Sequence, residues 1–570
     1  MSNSKPEMIT AGGAILARLK AIGVDYIFAN SGTDFPPIIE GLAEAKAKDI
    51  PLPHTVIIPH ENAAMGMAHG YYLATGRAQA VMAHTNVGLA NCAIGAINAA
   101  MEHVPILLFS GRTPAVEQGR LGARTVPISW GQEMRDQAAM IREVVKWDYE
   151  LRFPEQAVDI VDRAFAVANS TPRGPVYLSL PREVLCQLCP ADELDGPGRM
   201  VPAIASPRPA DIESAARLLS QAKRPLIIAQ RGAGSAAGFE LLSRFVLDWG
   251  IPVCQYWALQ LAVPTDHPMA VGMDPAKWLA EADLILVIDS LAPWSPDIHA
   301  LADGCKVVHI GQDPLYANVP VRNFKCDLAL VGDTDVVLSE LSLAASAYLG
   351  QTESARETRR SHVRAAAANR RAAVTREAEN GGANPMTKAF VSHCLSMAIE
   401  GRLTAILSEL GVPLEFLTLH DHASWFQEPH SGGLGWCFPA SLGMKLAQPD
   451  TLVIATMGDG SYMFSNPVAC HQIAEAMGIP VLVLVLNNSE WGAVRQSVIG
   501  IYPDGYAAKS NVMPLVSLSP TPDFAQVAAA SRAWSVRVDR HQDLPAALDE
   551  AITQVMDNKR HALVEINIAP

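Results

Sequence analysis

The chain reads as an α/β protein of three domains, each built on a mostly parallel sheet flanked by helices. Three observations predict this. Short aliphatic runs alternate with helix-length stretches throughout, and nearly continuous apolar strands are what a parallel sheet covered on both faces requires. The length is 570 residues, and at about 150 residues per domain that supports three or four domains. The pattern breaks twice, in a proline-rich stretch at 190–209 and in an Ala-, Arg- and Glu-rich stretch at 344–383. The breaks divide the chain into domains at 1–189, 205–345 and 384–570.

In the first domain, strands are expected at 24–29, 55–59, 80–84, 106–110 and 176–180. Most end near Gly, Ser, Pro or Asn, and a helix-like pattern follows. The second domain offers strands at 225–230, 251–255, 284–289 and 307–311, and 344–383 then suits a helix and connection. The third offers strands at 451–457, 480–487 and 562–568.

Composition excludes several classes of function. Apolar residues make up 49% and charged residues 18%, enough for buried cores and little sign of disorder. A net charge of −14 argues against nucleic acid as a partner, since phosphates want a basic face. The aliphatic run at 479–486 is far shorter than the roughly 20 residues of a membrane span, and the first ten residues lack the apolar core of an export signal. Nine scattered cysteines point to a reducing, cytoplasmic setting. The one CxxC, Cys186 and Cys189, reads as two small apolar residues near a domain end.

The strongest local signal is Met457-Gly458-Asp459-Gly460-Ser461 at the end of a strand, followed by Asn487-Asn488 at the end of the next. Taken alone, the first could be a turn of Gly and Asp. Together, a carboxylate and an amide oxygen at neighbouring strand ends can meet one hard cation, and Mg²⁺ prefers oxygen ligands shared with a phosphate. The glycines let backbone N–H groups approach that phosphate. Strand ends are where parallel sheets bind ligands.

These residues resemble the thiamine diphosphate binding motif of the family that includes acetolactate synthase, benzoylformate decarboxylase and pyruvate decarboxylase, and the three-domain order fits it over nearly the whole chain. The resemblance implies a pyrimidine-binding domain, a Rossmann-like central domain and a diphosphate-binding domain, with the cofactor-binding fold used twice. It makes Asp459 and Asn488 side-chain Mg²⁺ ligands and Glu490 a backbone-carbonyl ligand, with Gly460 and Ser461 at the diphosphate. The spacer before the Asn pair is slightly longer than the family's usual one, so the ligand is Asn487 or Asn488.

Glu61, in His60-Glu61-Asn62-Ala63-Ala64, opens a helix. By itself it is a helix-dipole partner; by resemblance it is the glutamate that bonds the cofactor's pyrimidine and starts ylid formation. Ser431-Gly432-Gly433-Leu434-Gly435 resembles the turn that meets the aminopyrimidine, with Gly432 in contact and Leu434 as the bulky residue that bends the cofactor. The loop of Glu409, Leu410 and Gly411 resembles the other diphosphate-contacting loop.

The resemblance implies an ylid/enamine mechanism on a small-molecule 2-oxo acid, by an acetolactate synthase-like carboligase or a decarboxylase. His84 matches a pocket histidine of benzoylformate decarboxylase that relays protons, and Thr33 stands where that enzyme has a substrate-contacting serine. His267 aligns with its second catalytic histidine, or belongs to a structural turn. His420, His422 and His430 lack zinc spacing. The glycine turn after residue 231 is not a dinucleotide fingerprint, and FAD is not expected. A catalytically silent cofactor-binding relative is the rival reading. The active unit is expected to be a homodimer or homotetramer, with each cofactor between two chains.

Overall fold

A computed structural model describes residues 7–191 and 194–569. Residues 1–6, part of the segment read for an export signal, lie outside the described residues, as do Asp192 and Glu193 of the expected linker and Pro570. Among the described residues no helix is long and apolar enough to cross a membrane.

The strands run in chain order as β1 (Met8–Thr10), β2 (Tyr26–Ala29), β3 (His54–Ile57), β4 (Gln79–Ala83), β5 (Ile106–Arg112), β6 (Asp148–Glu150), β7 (Val176–Pro181) and β8 (Leu188–Pro190) in the first region. The central region adds β9 (Pro225–Ala229), β10 (Val253–Cys254), β11 (Ala270–Gly272), β12 (Leu284–Ile288), β13 (Lys306–Gly311) and β14 (Leu328–Val331). The last region adds β15 (Thr404–Glu409), β16 (Trp425–Gln427), β17 (Leu452–Gly458), β18 (Leu482–Asn487), β19 (Trp534–Val538) and β20 (Ala562–Asn567). They form three six-stranded sheets, with orders β3-β2-β4-β5-β7-β6, β11-β10-β9-β12-β13-β14 and β16-β15-β17-β18-β20-β19. Every ladder in these sheets is parallel, while β1 and β8 pair antiparallel.

Counted within its own region, the central sheet has the 3-2-1-4-5-6 order of a dinucleotide-binding fold. The first and last sheets share a different order, 2-1-3-4-6-5. The middle strands are apolar and buried, as at Val81, Leu107, Ile227, Val287, Ile454 and Val483.

By packing, the chain divides into two compact units: one runs up to Ala203 and takes in Pro429–Pro449 and Ser465–Ile479, and the other comprises Ile204–Glu428, Asp450–Phe464 and the chain from Pro480 on. In the first unit, Arg18 is buried and its Nε donates to Asp162 Oδ1 at 2.6 Å. Its Nη2 donates to Asp162 Oδ2 and to the Pro197 carbonyl, and its Nη1 to the carbonyls of Leu194 and Gly196. The proline-rich linker is thus pinned by a buried ion pair. In the second unit the arginine-rich stretch forms one long helix, Leu349–Asn380. Arg359 donates to the carbonyls of Ala222 and Trp249, and Arg356 to that of Asp248. These are the carbonyls left over where two central-domain helices end. Arg370 bonds Glu415 at 2.7 Å, which ties the same helix to the last region.

Candidate active site

The first unit positions Glu61 at the start of the helix Glu61–Thr75, after β3, with His60 as N-cap. Its side chain is 6% exposed. Asn30, just past β2, donates to Oε1 at 3.0 Å, and Asn91 donates to Oε2 at 2.9 Å. Both carboxylate oxygens are therefore oriented by neutral amides, which fix the group without neutralising it.

Asn91 lies on the helix Thr85–Met101, and so does Asn98. Seven residues is close to two turns, so the two amides share a face. Asn98 donates to the Gly433 carbonyl at 2.8 Å and accepts from Ser431 Oγ at 2.6 Å. Glu102, capping the same helix, accepts from the His430 N–H at 3.3 Å. One helix thus holds both the glutamate and the glycine-rich turn. In that turn Gly432 has φ 69° and Gly435 φ 85°, the left-handed region that favours glycine. Leu434 between them is half-buried. The helix that follows, Cys437–Ala447, packs on the Glu61 helix at contact distance. A Cβ on Gly70 would stand 1.8 Å from the Ala440 carbonyl oxygen, and one on Gly443 2.0 Å from that of Met67.

His84 follows β4 and caps the Asn91 helix. Its Nδ1 makes a short bond with Asp34 Oδ1, and its Nε2 lies 3.0 Å from the Gln132 amide nitrogen. The bond to Asp34 holds its pKa above the ordinary histidine value, against burial, and the charges of Asp34 and Glu61 act in the same direction. Thr33 is exposed, and its carbonyl accepts from Arg182 at 2.9 Å.

In the second unit, Asp459 directly follows β17, opens the helix Asp459–Phe464 and is 2% exposed. Its Oδ1 accepts from the Gly460 N–H at 3.0 Å. Among the described residues nothing donates to Oδ2. Burial pushes the carboxyl up to about 6. A buried carboxylate oxygen without a donor is costly in itself, and a hard cation is the group that fits it. Gly460 lies under the Trp491 ring, 2.3 Å from where a Cβ would stand, and Ser461 is buried beside it.

The two asparagines after β18 differ in what they are free to do. Asn487 donates to Glu565 at 2.8 Å, and its Oδ1 accepts from the Ser489 N–H and Oγ. Asn488 Oδ1 accepts one bond, from the Glu490 N–H at 3.2 Å. The Glu490 carbonyl accepts from Gly492 at 2.9 Å and keeps a second lone pair, while its side chain pairs with Arg495 at 2.5 Å.

Glu409, in the loop expected at the diphosphate, is fully buried at the end of β15. Sequence reasoning missed two charged or polar groups that accompany it. Glu428, one residue past β16, is pushed up to about 8 by burial and by the charge of Glu409. Lys388, at the start of the helix Lys388–Ala398, is lowered by burial and donates to the Leu410 carbonyl at 2.6 Å. Asn91, Asp34 and Gln132 were missed likewise. Only the seven-residue step from Asn91 to Asn98 left a signal in the sequence.

His267 serves its own turn: Nδ1 accepts from the Met269 N–H at 3.1 Å, and burial lowers its pKa. Thr265 in that turn donates to the Leu417 carbonyl at 2.9 Å. His420 lies 3.3 Å from Asp266. Among the described residues no cluster of His, Cys, Asp and Glu forms a metal site by itself.

Comparison with known proteins gives matches to three parts of one family. Residues 9–140 match "Thiamine pyrophosphate enzyme, N-terminal TPP binding domain", 212–341 its central domain and 413–566 its C-terminal TPP binding domain. A probable acetolactate synthase large subunit of Methanococcus aeolicus is 25% identical over 578 aligned residues, covering 95% of this chain and 89% of that protein. A probable 2-ketoarginine decarboxylase of Pseudomonas aeruginosa is 27% identical, covering 94% of this chain and 90% of that one. In fold, the chain is similar to a thiamine diphosphate-dependent 4-hydroxybenzoylformate decarboxylase of Rhodococcus jostii, with TM-score 0.78 and 22% identity over 98% of this chain and 99% of that chain.

Proposed function

The chain belongs to the thiamine pyrophosphate enzyme family, and from that premise we propose that it is a thiamine diphosphate- and Mg²⁺-dependent enzyme that decarboxylates a small 2-oxo acid. The bound cofactor supplies the electron sink that makes or breaks a bond next to a carbonyl. The residues present fit it. Asp459, with its unpartnered oxygen, and Asn488, with the less committed amide, would hold the cation, together with the Glu490 carbonyl. Gly460 and Ser461 would meet the diphosphate, with the buried Glu409 loop beside it. Glu61 would hold a proton at the pyrimidine end, its carboxylate fixed by Asn30 and Asn91. Gly432 and Leu434 would set the pyrimidine's place by shape.

One observation favours decarboxylation over joining a second carbonyl compound. His84 is a protonatable group at a strand end, paired with Asp34 and within electrostatic reach of Glu61. A group of that kind could supply the proton that an aldehyde product carries on its carbonyl carbon. Thr33 would face the substrate nearby. The second reading, an acetolactate synthase-like carboligase, draws on the relatives' names. Incubation with a panel of 2-oxo acids separates the two. The expected outcome is CO₂ with one aldehyde per CO₂. A 2-hydroxy-ketone product in place of aldehyde would establish the carboligase, and no CO₂ with any acid would leave the silent relative.

The reading extends to assembly. Glu61 and the cation ligands belong to different units, and the enzyme is proposed to work as a homodimer or a homotetramer, with each cofactor held between two chains. The helix Gly492–Ile501 buries none of its residues, and Val494, Ile501, Tyr502, Tyr506 and Leu515 around it are exposed. Exposed apolar side chains grouped on one segment support a contact with a second chain there. All nine cysteines are free thiols, in keeping with a reducing cytoplasm.

A further inference from the structure

The turn that carries His84 contains more than a histidine. Asp34 lies in the loop after β2 and is 5% exposed. Its Oδ1 meets His84 Nδ1, and its Oδ2 accepts from the Thr85 N–H at 3.4 Å. Two positions without side chains make room for the pair. A Cβ on Gly111 would stand 1.3 Å from Asp34 Oδ2, and one on Gly32 2.2 Å from the imidazole Cγ and Nδ1. Thr85, the residue after His84, is held at φ 40°, a region that β-branched residues avoid. The backbone at the end of β4 is thus bent to bring the ring onto the carboxylate. Gln132, just past the short helix Ile128–Gly131, closes the other end of the ring at Nε2.

The charged groups facing the ring are Asp34 from the β2 loop and Glu61 from the start of its helix, and both are acidic. With Asp34 accepting, the hydrogen of Nδ1 stays where it is in both the neutral and the protonated ring. Only Nε2 then changes state. The Gln132 amide can donate to a bare Nε2 or, turned over, accept from Nε2–H.

We propose that Asp34 is a positioning residue for a proton relay at His84: it fixes the ring through Nδ1 so that Nε2 alone takes up and delivers the proton, and Gln132 follows the change. In the delivering step the Nε2–H bond breaks, its electron pair stays on the ring, and the proton goes to the substrate-derived carbon. Solvent returns a proton to Nε2 afterwards. This rests on reading His84 as the pocket's proton relay.

The test uses full-length protein labelled with ¹⁵N at histidine, without substrate, with the His84 signals assigned by their loss in His84→Gln. In the wild type, neutral His84 should show a protonated Nδ1 and a bare Nε2, and it should titrate above the ordinary histidine value of about 6.5. In Asp34→Asn the titration should fall toward that value, and both tautomers should appear. With a 2-oxo acid that is turned over, kcat of Asp34→Asn should drop on the order of tenfold to a hundredfold, part of what a positioned acid–base group contributes, with KM little changed. An unchanged His84 signature in Asp34→Asn overturns the proposal. Full turnover by His84→Gln, with the signature changed as expected, overturns the relay reading and leaves Asp34 as an anchor for the ring alone. If Asp34→Asn does not fold, Gln132→Leu serves: the ring must keep its hydrogen on Nδ1, and loss of that tautomer overturns the proposal.

Discussion

At the scale of single residues, the proposed cation site rests on a carboxylate that burial disfavours. Asp459 carries an oxygen with no donor in a buried position. Asp459→Asn should leave the melting temperature of the cofactor-free protein unchanged or higher, since it removes a buried charge. The same variant should lose the rise in melting temperature that Mg²⁺ and thiamine diphosphate give the wild type. A full rise in the variant would move the cation elsewhere. Glu428 gives a pH prediction. Its carboxyl is pushed up to about 8, above the unfolded value of about 4.3. The folded state therefore binds more protons in that window, and stability falls as pH rises from about 4.3 to about 8. Glu428→Gln should remove this slope, so its advantage over the wild type in cofactor-free urea unfolding should grow from about pH 5 to about pH 8. An equal difference at both pH values would count against a buried, neutral Glu428. Of these residues, Asp459 and Glu61 were legible in the sequence because they sit in local motifs. Glu428 and Lys388 were not, because what makes them unusual is burial beside groups far along the chain.

At the scale of elements, the pair formed by the Glu61 helix and the helix Cys437–Ala447 carries the most information. Their backbones meet closely at Gly70 and Gly443, and an added methyl cannot be absorbed by a rotamer change when its neighbour is a carbonyl. Gly70→Ala should cost at least about 1–3 kcal/mol in urea unfolding, as overpacking does. Gly131→Ala, where a Cβ meets nothing within 4 Å, is the control and should be near neutral. Equal stability of the two variants would show that the helices can part without penalty. The buried central strands were readable from their aliphatic runs. The strands that escaped were mostly edge strands, β6, β11, β14, β16 and β19, each too short to stand out as a run. β15 escaped for a different reason: it is fully buried but ends in Ser408 and Glu409, polar residues that interrupt the apolar pattern. The long helix Leu349–Asn380 was legible from composition, while the use of its arginines as caps for other helices was not.

At the scale of the whole molecule, a shared site can be tested by mixing. Glu61→Gln and Asp459→Ala chains, each inactive alone, should regain part of the activity when refolded together, because one of the two sites in a mixed dimer is then wild type. No recovery despite demonstrated mixed dimers would place both residues' work within one chain. The repeated strand order of the first and last sheets also has a historical meaning. Two sheets with the order 2-1-3-4-6-5 in one chain are what an ancient duplication would leave behind. If so, equivalent addresses can be compared. The residue after the third strand is His84 in one copy and Asp459 in the other, and each opens a helix. The second strand leads to Glu61 in one and to Glu428 in the other. At these addresses one copy carries a histidine and a glutamate, and the other an aspartate and a glutamate. Ancestry in this protein is written in the addresses rather than in their occupants, which is why the two halves look unrelated when read residue by residue.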